Sequence, residues 1–353
     1  MTWTMDRPTE WLNESPMDGT LKKKNEVRTS GRNVGMERWM NEWIVRKECL
    51  NGRIKWMDEH PNYMNNQKKT AVVTGATGFI GSALTSSLLN NDYNVIAVIK
   101  KPAVLPKGCI AYLCDILDYE SISETISRSD IVFHLAGIVG VTPCEDDLYK
   151  TIDVNIVGTI NVLDAAKYYN KPLIFASVSN IYDHSFYSIT KATAERFVMM
   201  YNKEHKTNFM PLRIFNVYGP RQDLKSGKLI TNAIDRGLKG KPIFIFGKGN
   251  QIMDFIYIDD VVSHLLYASD NISVNDYKPY EVGTGTGITI KNAVNVIIKA
   301  TGNQSEIIFK PKRSGEKMNN VVANKARFIT NTIDMHKFEV GIMKTVESIK
   351  VND

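Results

Sequence analysis

Ala71–Val72–Val73–Thr74 is an apolar β run that ends in Gly75–Ala76–Thr77–Gly78–Phe79–Ile80–Gly81 and passes at once into an amphipathic helical stretch. A strand, a turn with three glycines and a helix start, in that order, leave the chain few folds. Gly75 suits the tight turn, Gly78 leaves backbone N–H groups open to a phosphate, and Gly81 lets the helix pack closely on the strand. The helix N-terminus adds positive potential at the same place. The segment therefore predicts a pyrophosphate-binding turn that opens a βαβ unit.

The chain beyond the turn keeps to that scheme. Ala71–Thr74, Val95–Ile99, Ile110–Leu113, Ile131–Leu135, Leu173–Ser177 and Phe209–Ile214 read as strands, and Ile80–Asn90, Tyr119–Ser127, Asn155–Tyr169 and Lys191–His205 as helices. Short apolar strands alternating with amphipathic helices predict an α/β fold, a doubly wound parallel sheet of Rossmann type with helices on both faces. After Gly219 the pattern becomes irregular, with helices expected near Ile230–Leu238, Asp259–Ser269 and Ile290–Ala300. The expected organisation is an N-terminal extension over residues 1–66, a dinucleotide-binding domain over 67–218, and a smaller lobe over 219–353 that holds substrate and returns in part to the main sheet. All five tryptophans lie in the first 56 residues, an otherwise polar and poorly patterned stretch with Gly19, Gly31, Gly35 and Gly52 breaking any long helix. Met64, just ahead of the first strand, is a candidate natural start, which would make residues 1–63 an addition; the alternative is a genuine N-terminal arm.

Composition excludes several classes. At 353 residues, with 43% hydrophobic and 23% charged residues, the chain can bury a substantial core and is not a disordered one. The net charge of +6 arises from 44 basic and 38 acidic residues spread along the chain, without basic residues and aromatics gathered on one face, so no nucleic-acid partner is expected. The four cysteines, Cys49, Cys109, Cys114 and Cys144, have neither CxxC spacing nor neighbouring histidine pairs. No metal site and no disulfide framework are expected, and a reducing cytoplasm fits. No apolar run approaches the ~20 residues of a membrane span, so no membrane partner is expected.

The spacing of the three glycines resembles that of the extended short-chain dehydrogenase/reductase family, the NAD-dependent epimerases and dehydratases of nucleotide sugars, and the resemblance runs from about Thr70 to the C-terminus. It implies cofactor contacts from Gly75, Thr77, Gly78, Phe79, Ile80 and Gly81, from the pair Asp115–Ile116 after the third strand, and from Leu135, Ala136 and Gly137 at the end of the fourth. Those last residues could equally just finish a buried strand. Roughly 20 residues past the glycine turn an acid normally accepts the ribose hydroxyls, but the second strand here ends Val98–Ile99–Lys100–Lys101. Lys100 could face a 2′-phosphate, which favours NADP slightly over NAD; the alternative is two solvated lysines.

Tyr187–Ser188–Ile189–Thr190–Lys191 places a phenol and an ammonium one helical turn apart. A nearby cation stabilises a phenolate, so Tyr187 is the expected acid/base, with Lys191 also holding the nicotinamide ribose. The resemblance implies a serine or threonine after the fifth strand, where this chain reads Ser177–Val178–Ser179–Asn180–Ile181–Tyr182. Val178 stands where the hydroxyl usually is, so Ser179 is the first candidate and Ser177 the second. Asn180 replaces the carboxylate that dehydratases and decarboxylases of the family carry, which argues against those reactions. Only four residues separate Tyr182 from Tyr187, whereas relatives insert a longer loop. Asn155 is expected to organise the helix near Lys191, or to be a structural polar residue.

In the lobe, Arg213–Ile214–Phe215–Asn216–Val217–Tyr218–Gly219–Pro220–Arg221–Gln222 and Gln251–Ile252–Met253–Asp254–Phe255–Ile256–Tyr257 match family strings. They imply that Asn216 contacts substrate phosphates and that Met253 stands in place of a diphosphate-binding arginine. Arg313 matches a second such arginine, or belongs to a solvated basic loop. The resemblance thus implies an NAD(P)-dependent enzyme that epimerises or reduces a nucleotide-sugar substrate at C4, working as a homodimer. The rival is a cofactor-binding protein with impaired catalysis, a redox sensor or scaffold.

Overall fold

The computed structural model describes residues 68–274, 277–311 and 320–352, so the N-terminal extension and the Met64 start lie outside the described residues. Its strands are β1 (Thr70–Thr74), β2 (Asn94–Ile99), β3 (Ile110–Leu113), β4 (Ile131–His134), β5 (Leu173–Val178), β6 (Phe209–Ile214), β7 (Asn216–Tyr218), β8 (Ile243–Phe246), β9 (Ile252–Met253), β10 (Phe255–Tyr257), β11 (Tyr280–Val282), β12 (Ile288–Thr289) and β13 (Ile307–Lys310). The α-helices are α1 (Phe79–Asn90), α2 (Tyr119–Ser127), α3 (Val141–Asp146), α4 (Leu148–Ile152), α5 (Gly158–Tyr168), α6 (Phe186–His205), α7 (Leu229–Leu238), α8 (Ile258–Asp270), α9 (Ile290–Thr301) and α10 (Phe338–Asn352).

Seven parallel strands make the main sheet in the order β11-β6-β5-β4-β1-β2-β3. Its central strands are apolar and buried at nearly every position, β1 completely so, because helices cover both faces. One face holds the cluster of Val73, Leu84, Phe133, Ile174 and Leu265; the other holds Ile96, Ile122, Val162, Phe175 and Val198. Strand order reverses between β1 and β4, and at such a switch the crossovers leave on opposite sides and open a crevice at the carboxyl ends of the strands. The glycine turn sits at that point.

Two helix starts differ from the pattern reading. Ser185 caps α6 by accepting from Ser188 N at 3.2 Å, so the helix begins before Tyr187 instead of at Lys191. Before α5, residues Asp153–Val157 form a π turn, a widened coil that shifts the side chains beyond it.

The C-terminal lobe is built from paired short strands, β7 with β10, β8 with β13 and β9 with β12, and from α7, α9 and α10. Tyr218, Ile234, Ile243, Tyr257, Val294 and Ile342 make its core, and Phe79 and Ile80 of α1 pack against it, so the first helix joins sheet and lobe. Asp254 staples the crossing. It is fully buried, and its carboxylate accepts from Thr284 N (3.0 Å), Thr284 Oγ1 (2.6 Å), Gly285 N (2.8 Å) and Ala323 N (3.2 Å). Four donors make a buried carboxylate tolerable, and removing it takes the acceptor from three backbone amides, that of buried Ala323 among them. Asp254→Ala is therefore expected to lower unfolding stability by about 3 kcal/mol or more in urea titration, far beyond a typical surface substitution.

Candidate active site

The turn at the end of β1 closes by backbone contact alone. Gly75 has φ +71°, and a Cβ there would stand 2.8 Å from Ala136 N and 2.9 Å from Leu135 C, so the turn rests directly on the end of β4. A Cβ on Gly81 would collide with Gly75 O. Gly78 donates to Gly75 O at 2.9 Å and caps α1 without any side-chain acceptor, while Thr77 and Gly78 are exposed. The first amides of α1 thus face outward with no side chain to satisfy them, the arrangement an anionic group needs.

Behind the turn runs a buried chain of hydrogen bonds whose direction follows from its ends. Ala136 N donates to Thr74 Oγ1 (3.2 Å) and Thr159 Oγ1 donates to Asn155 O (2.8 Å). With those ends set, the Thr74 hydroxyl gives its proton to His134 Nδ1 (2.7 Å), and His134 Nε2–H donates to Thr159 Oγ1 (3.0 Å). His134 is fully buried and its pKa is pushed down to about 3, so the ring stays neutral, as this pattern requires.

Asn155, on the π turn, bridges the loop after β4 to α6. Its side chain accepts from Ile138 N (2.7 Å) and donates to Ile138 O (3.1 Å) and Thr190 Oγ1 (3.1 Å). A Cβ on Gly137 would stand 3.0 Å from Asn155 Oδ1 and 4.0 Å from Lys191 Nζ, which places the lysine beside the bare backbone at the end of β4. The structure thereby brings together three segments that lie far apart in the chain, at Leu135–Gly137, Asn155 and Lys191.

Lys191 is 5% exposed, and its Nζ lies 4.2 Å from the centre of the Phe175 ring. Burial pulls its pKa down to about 7, against the opposing pull of Glu195. Tyr187 is half-buried, and burial, with Cys144 adding to it, pushes the phenol up to about 12. Burial thus works against the phenolate, the form a general base needs, and a cation held one helical turn away works for it.

The two serine candidates separate. Ser177 is buried and donates its only hydroxyl proton to Glu195 Oε2 at 2.6 Å, so it is not free to donate to a reacting oxygen. Ser179 lines a cavity of about 270 Å³ beyond the ends of β5 and β6, together with Asn180, Tyr182, Arg213, Glu281 and Arg327. Tyr187 and Lys191 do not line it.

Other candidates fall as follows. Lys100 Nζ lies 2.5 Å from Asp115 Oδ2, so the two residues expected on different parts of a cofactor form an ion pair. Ile116 packs its side chain where a Cβ on Gly158 would lie, at 2.6 Å, which joins it to the start of α5. Asn216 donates its amide to Asp254 O at 2.9 Å, and Met253 pairs with Ile288 and bridges to Val321. Arg313 lies outside the described residues. Among the described residues no three His, Cys, Asp or Glu side chains gather as a metal would require. Pattern reading gave no role to Glu195, although an acid four residues after a buried lysine on one helix was a signal for it.

A doubly wound sheet with a glycine turn at its switch point, and a buried Tyr–Lys helix face beside it, is the architecture of a dinucleotide-dependent enzyme. The sequence model of the NAD dependent epimerase/dehydratase family matches residues 71–283, and the chain belongs to that family. It is 31% identical over 272 residues to a candidate UDP-glucose 4-epimerase of Methanocaldococcus jannaschii, covering 69% of this chain and 87% of that one. The crystal structure of Thermotoga maritima UDP-glucose 4-epimerase with UDP-glucose superposes with a TM-score of 0.74 at 27% identity, covering 80% of this chain and 99% of that one. Bacillus cereus UDP-glucuronic acid 4-epimerase, in complex with UDP-glucuronic acid and NAD, gives 0.70 at 26% identity, covering 80% and 100%.

Burial of Lys191 lowers stability with a definite dependence on pH. The folded state binds its proton less well than the unfolded chain, so the cost is full below about 7 and fades as pH rises toward the ordinary value of 10.5. Lys191→Met is expected to raise unfolding stability by about 1–2 kcal/mol at pH 7. That gain should shrink when the urea titrations are repeated near pH 10.

Proposed function

We propose that the chain is an NAD(P)-dependent oxidoreductase/epimerase that acts on a nucleotide-activated sugar at C4, with Tyr187 and Lys191 as its acid–base pair. The observation that carries this reading is the packing of Lys191 against Gly137 and Phe175, beside the end of the strand on which the glycine turn rests. Residues 67–218 would hold the cofactor, and residues 219–353 most of the sugar nucleotide.

The residues present fit such a cofactor. The α1 amides carry no side-chain cap, and no Cβ has room at Gly75 or Gly81. A nicotinamide bound there would supply the hydride acceptor and donor for the sugar carbon. Tyr187 Oη accepts the proton of the sugar hydroxyl as the carbon is oxidised and gives it back on reduction. The Lys191 ammonium lowers the cost of the phenolate, and the Ser179 hydroxyl donates to the reacting oxygen. Asn155 holds the 137–138 loop and α6 at fixed spacing. Asn180, where a dehydratase or decarboxylase would need a carboxylate, supports epimerisation or 4-keto reduction instead.

For the cofactor, the absent acid at the end of β2 favours NADP, but Asp115 supplies a carboxylate there and neutralises Lys100. We read this pair as favouring NAD, which stays bound through an epimerisation cycle, and place the choice at Lys100. Identifying the nicotinamide released on denaturing the purified protein tests it: NADP, or an empty protein that binds only NADPH, overturns NAD and favours a 4-keto reductase. The assembly proposed is a homodimer through α6 and the segment before α5, where Ile152, Val157, Ile189 and Met200 expose apolar side chains. Light scattering should show a dimer that Ile189→Asp with Met200→Asp converts to monomer. A cytoplasmic setting agrees with the free thiols of Cys109, Cys114 and Cys144.

Tyr187→Phe is expected to slow interconversion of UDP-glucose or UDP-glucuronic acid with its 4-epimer by about 10²–10⁴-fold while leaving dinucleotide binding intact. Ser179→Ala should cost more turnover than Ser177→Ala, whose effect should fall mainly on stability. A rate unchanged in Tyr187→Phe would remove the catalytic assignment and leave a cofactor-binding sensor or scaffold.

A further inference from the structure

Glu195 has no part in the chemistry just described, yet it is 3% exposed and lies one helical turn beyond Lys191 on α6. A buried carboxylate is costly unless donors surround it. Here Ser177 Oγ of β5 donates at 2.6 Å, and the Arg213 guanidinium of β6 grips both oxygens, Nε to Oε2 at 3.0 Å and Nη2 to Oε1 at 2.6 Å. One side chain therefore ties α6 to two neighbouring strands of the main sheet. Phe175, on which the lysine rests, precedes Ser177 by two residues and so shares its face of β5. The catalytic ammonium and the carboxylate thus lean on the same strip of sheet. Arg213 extends this to the cavity, whose wall it forms.

We propose that Glu195 is a positioning residue for the Tyr187–Lys191 pair: locked by Ser177 and Arg213, its carboxylate fixes α6 against β5 and β6 and holds a negative charge one turn from the Lys191 ammonium. The inference rests on the reading of Tyr187 and Lys191 as the acid–base pair. It explains why an ammonium can be buried beside bare backbone without simply losing its proton. The other groups around that ammonium work against the proton or are silent. His134, from β4, is neutral and buried, and burial pushes the Tyr187 phenol up. Cys144, from α3 beside Tyr187, is a buried thiol pushed up from its ordinary value. Asn155 is uncharged, and Arg213 is a cation bound to the Glu195 carboxylate. The carboxylate is what pulls the lysine back toward its charged form.

The test compares the full chain with Glu195→Gln, which keeps the shape and removes the charge, and with Glu195→Asp, which restores it. Lys191 is titrated directly by lysine-selective ¹⁵N NMR, its signal assigned by its loss in Lys191→Arg. Glu195→Gln should move the Lys191 titration to lower pH by about one pH unit, and Glu195→Asp should recover most of the shift. With UDP-glucose as probe, the basic limb of kcat should move the same way while KM changes little, because the carboxylate acts through Lys191 and not on the ligand. A folded Glu195→Gln whose Lys191 titrates where the wild type does overturns the proposal. If Glu195→Gln does not fold, the double variant Glu195→Gln with Arg213→Met leaves no unpaired charge, and a smaller shift in the same direction is then expected, no shift refuting it. Should UDP-glucose not turn over at all, the NMR titration still reads, so loss of the functional reading and loss of this one are told apart.

Discussion

The contact on which the site depends is the one between the glycine turn and the end of β4. Gly75 lies against the backbone of Leu135 and Ala136 with no room for a Cβ, and Gly81 lies as tightly against Gly75. Because two backbones meet there without side chains between them, the turn, the start of α1 and the residues after β4 are placed together as one rigid unit. Every other feature of the site is positioned from that unit. Gly137 comes one residue after Ala136, and Asn155 and Lys191 fill the space its missing side chain leaves.

Polar groups inside this unit are arranged to be satisfied, and the two proposed to carry the chemistry are not at ease. The run from Ala136 through Thr74, His134 and Thr159 to Asn155 uses each donor and acceptor in turn, so it rigidifies the floor without carrying charge. Lys191 and Tyr187, by contrast, are both pushed toward their neutral forms by loss of water. Two groups whose charged forms are disfavoured sit poised near each other, which is how a site trades stability for reactivity. A structure selected for stability alone would not bury an ammonium over an aromatic ring.

The lobe uses its polar residues differently. Where family relatives are expected to carry an arginine, Met253 is part of a small strand pairing, and Asn216 gives its amide to a backbone carbonyl. Asp254, next to Met253 in the chain, organises the loops at 284–285 and 323 through four hydrogen bonds. The polar residues in this part of the described chain are largely engaged with the fold, and the cavity beyond β5 and β6 draws its charge from Arg213, Glu281 and Arg327 instead.

Strands, helices and the glycine turn were legible from the sequence because they rest on local causes: the two- and 3.6-residue periods of burial, and the missing Cβ at three positions. The spacing of Tyr187 and Lys191 was legible for the same reason, since one helical turn separates them whatever surrounds the helix. The start of α6 was missed because its signal is a single capping serine, Ser185, in a shortened loop. What only the tertiary structure decided was pairing and burial. Ser177 and Ser179 look alike in the chain, and they part because Glu195 and Arg213, 18 and 36 residues after Ser177, close on one and leave the other at the cavity. Lys100 looked free until Asp115, 15 residues on, met it. Charge state depends on which distant groups share the same small volume, and local sequence does not carry that information.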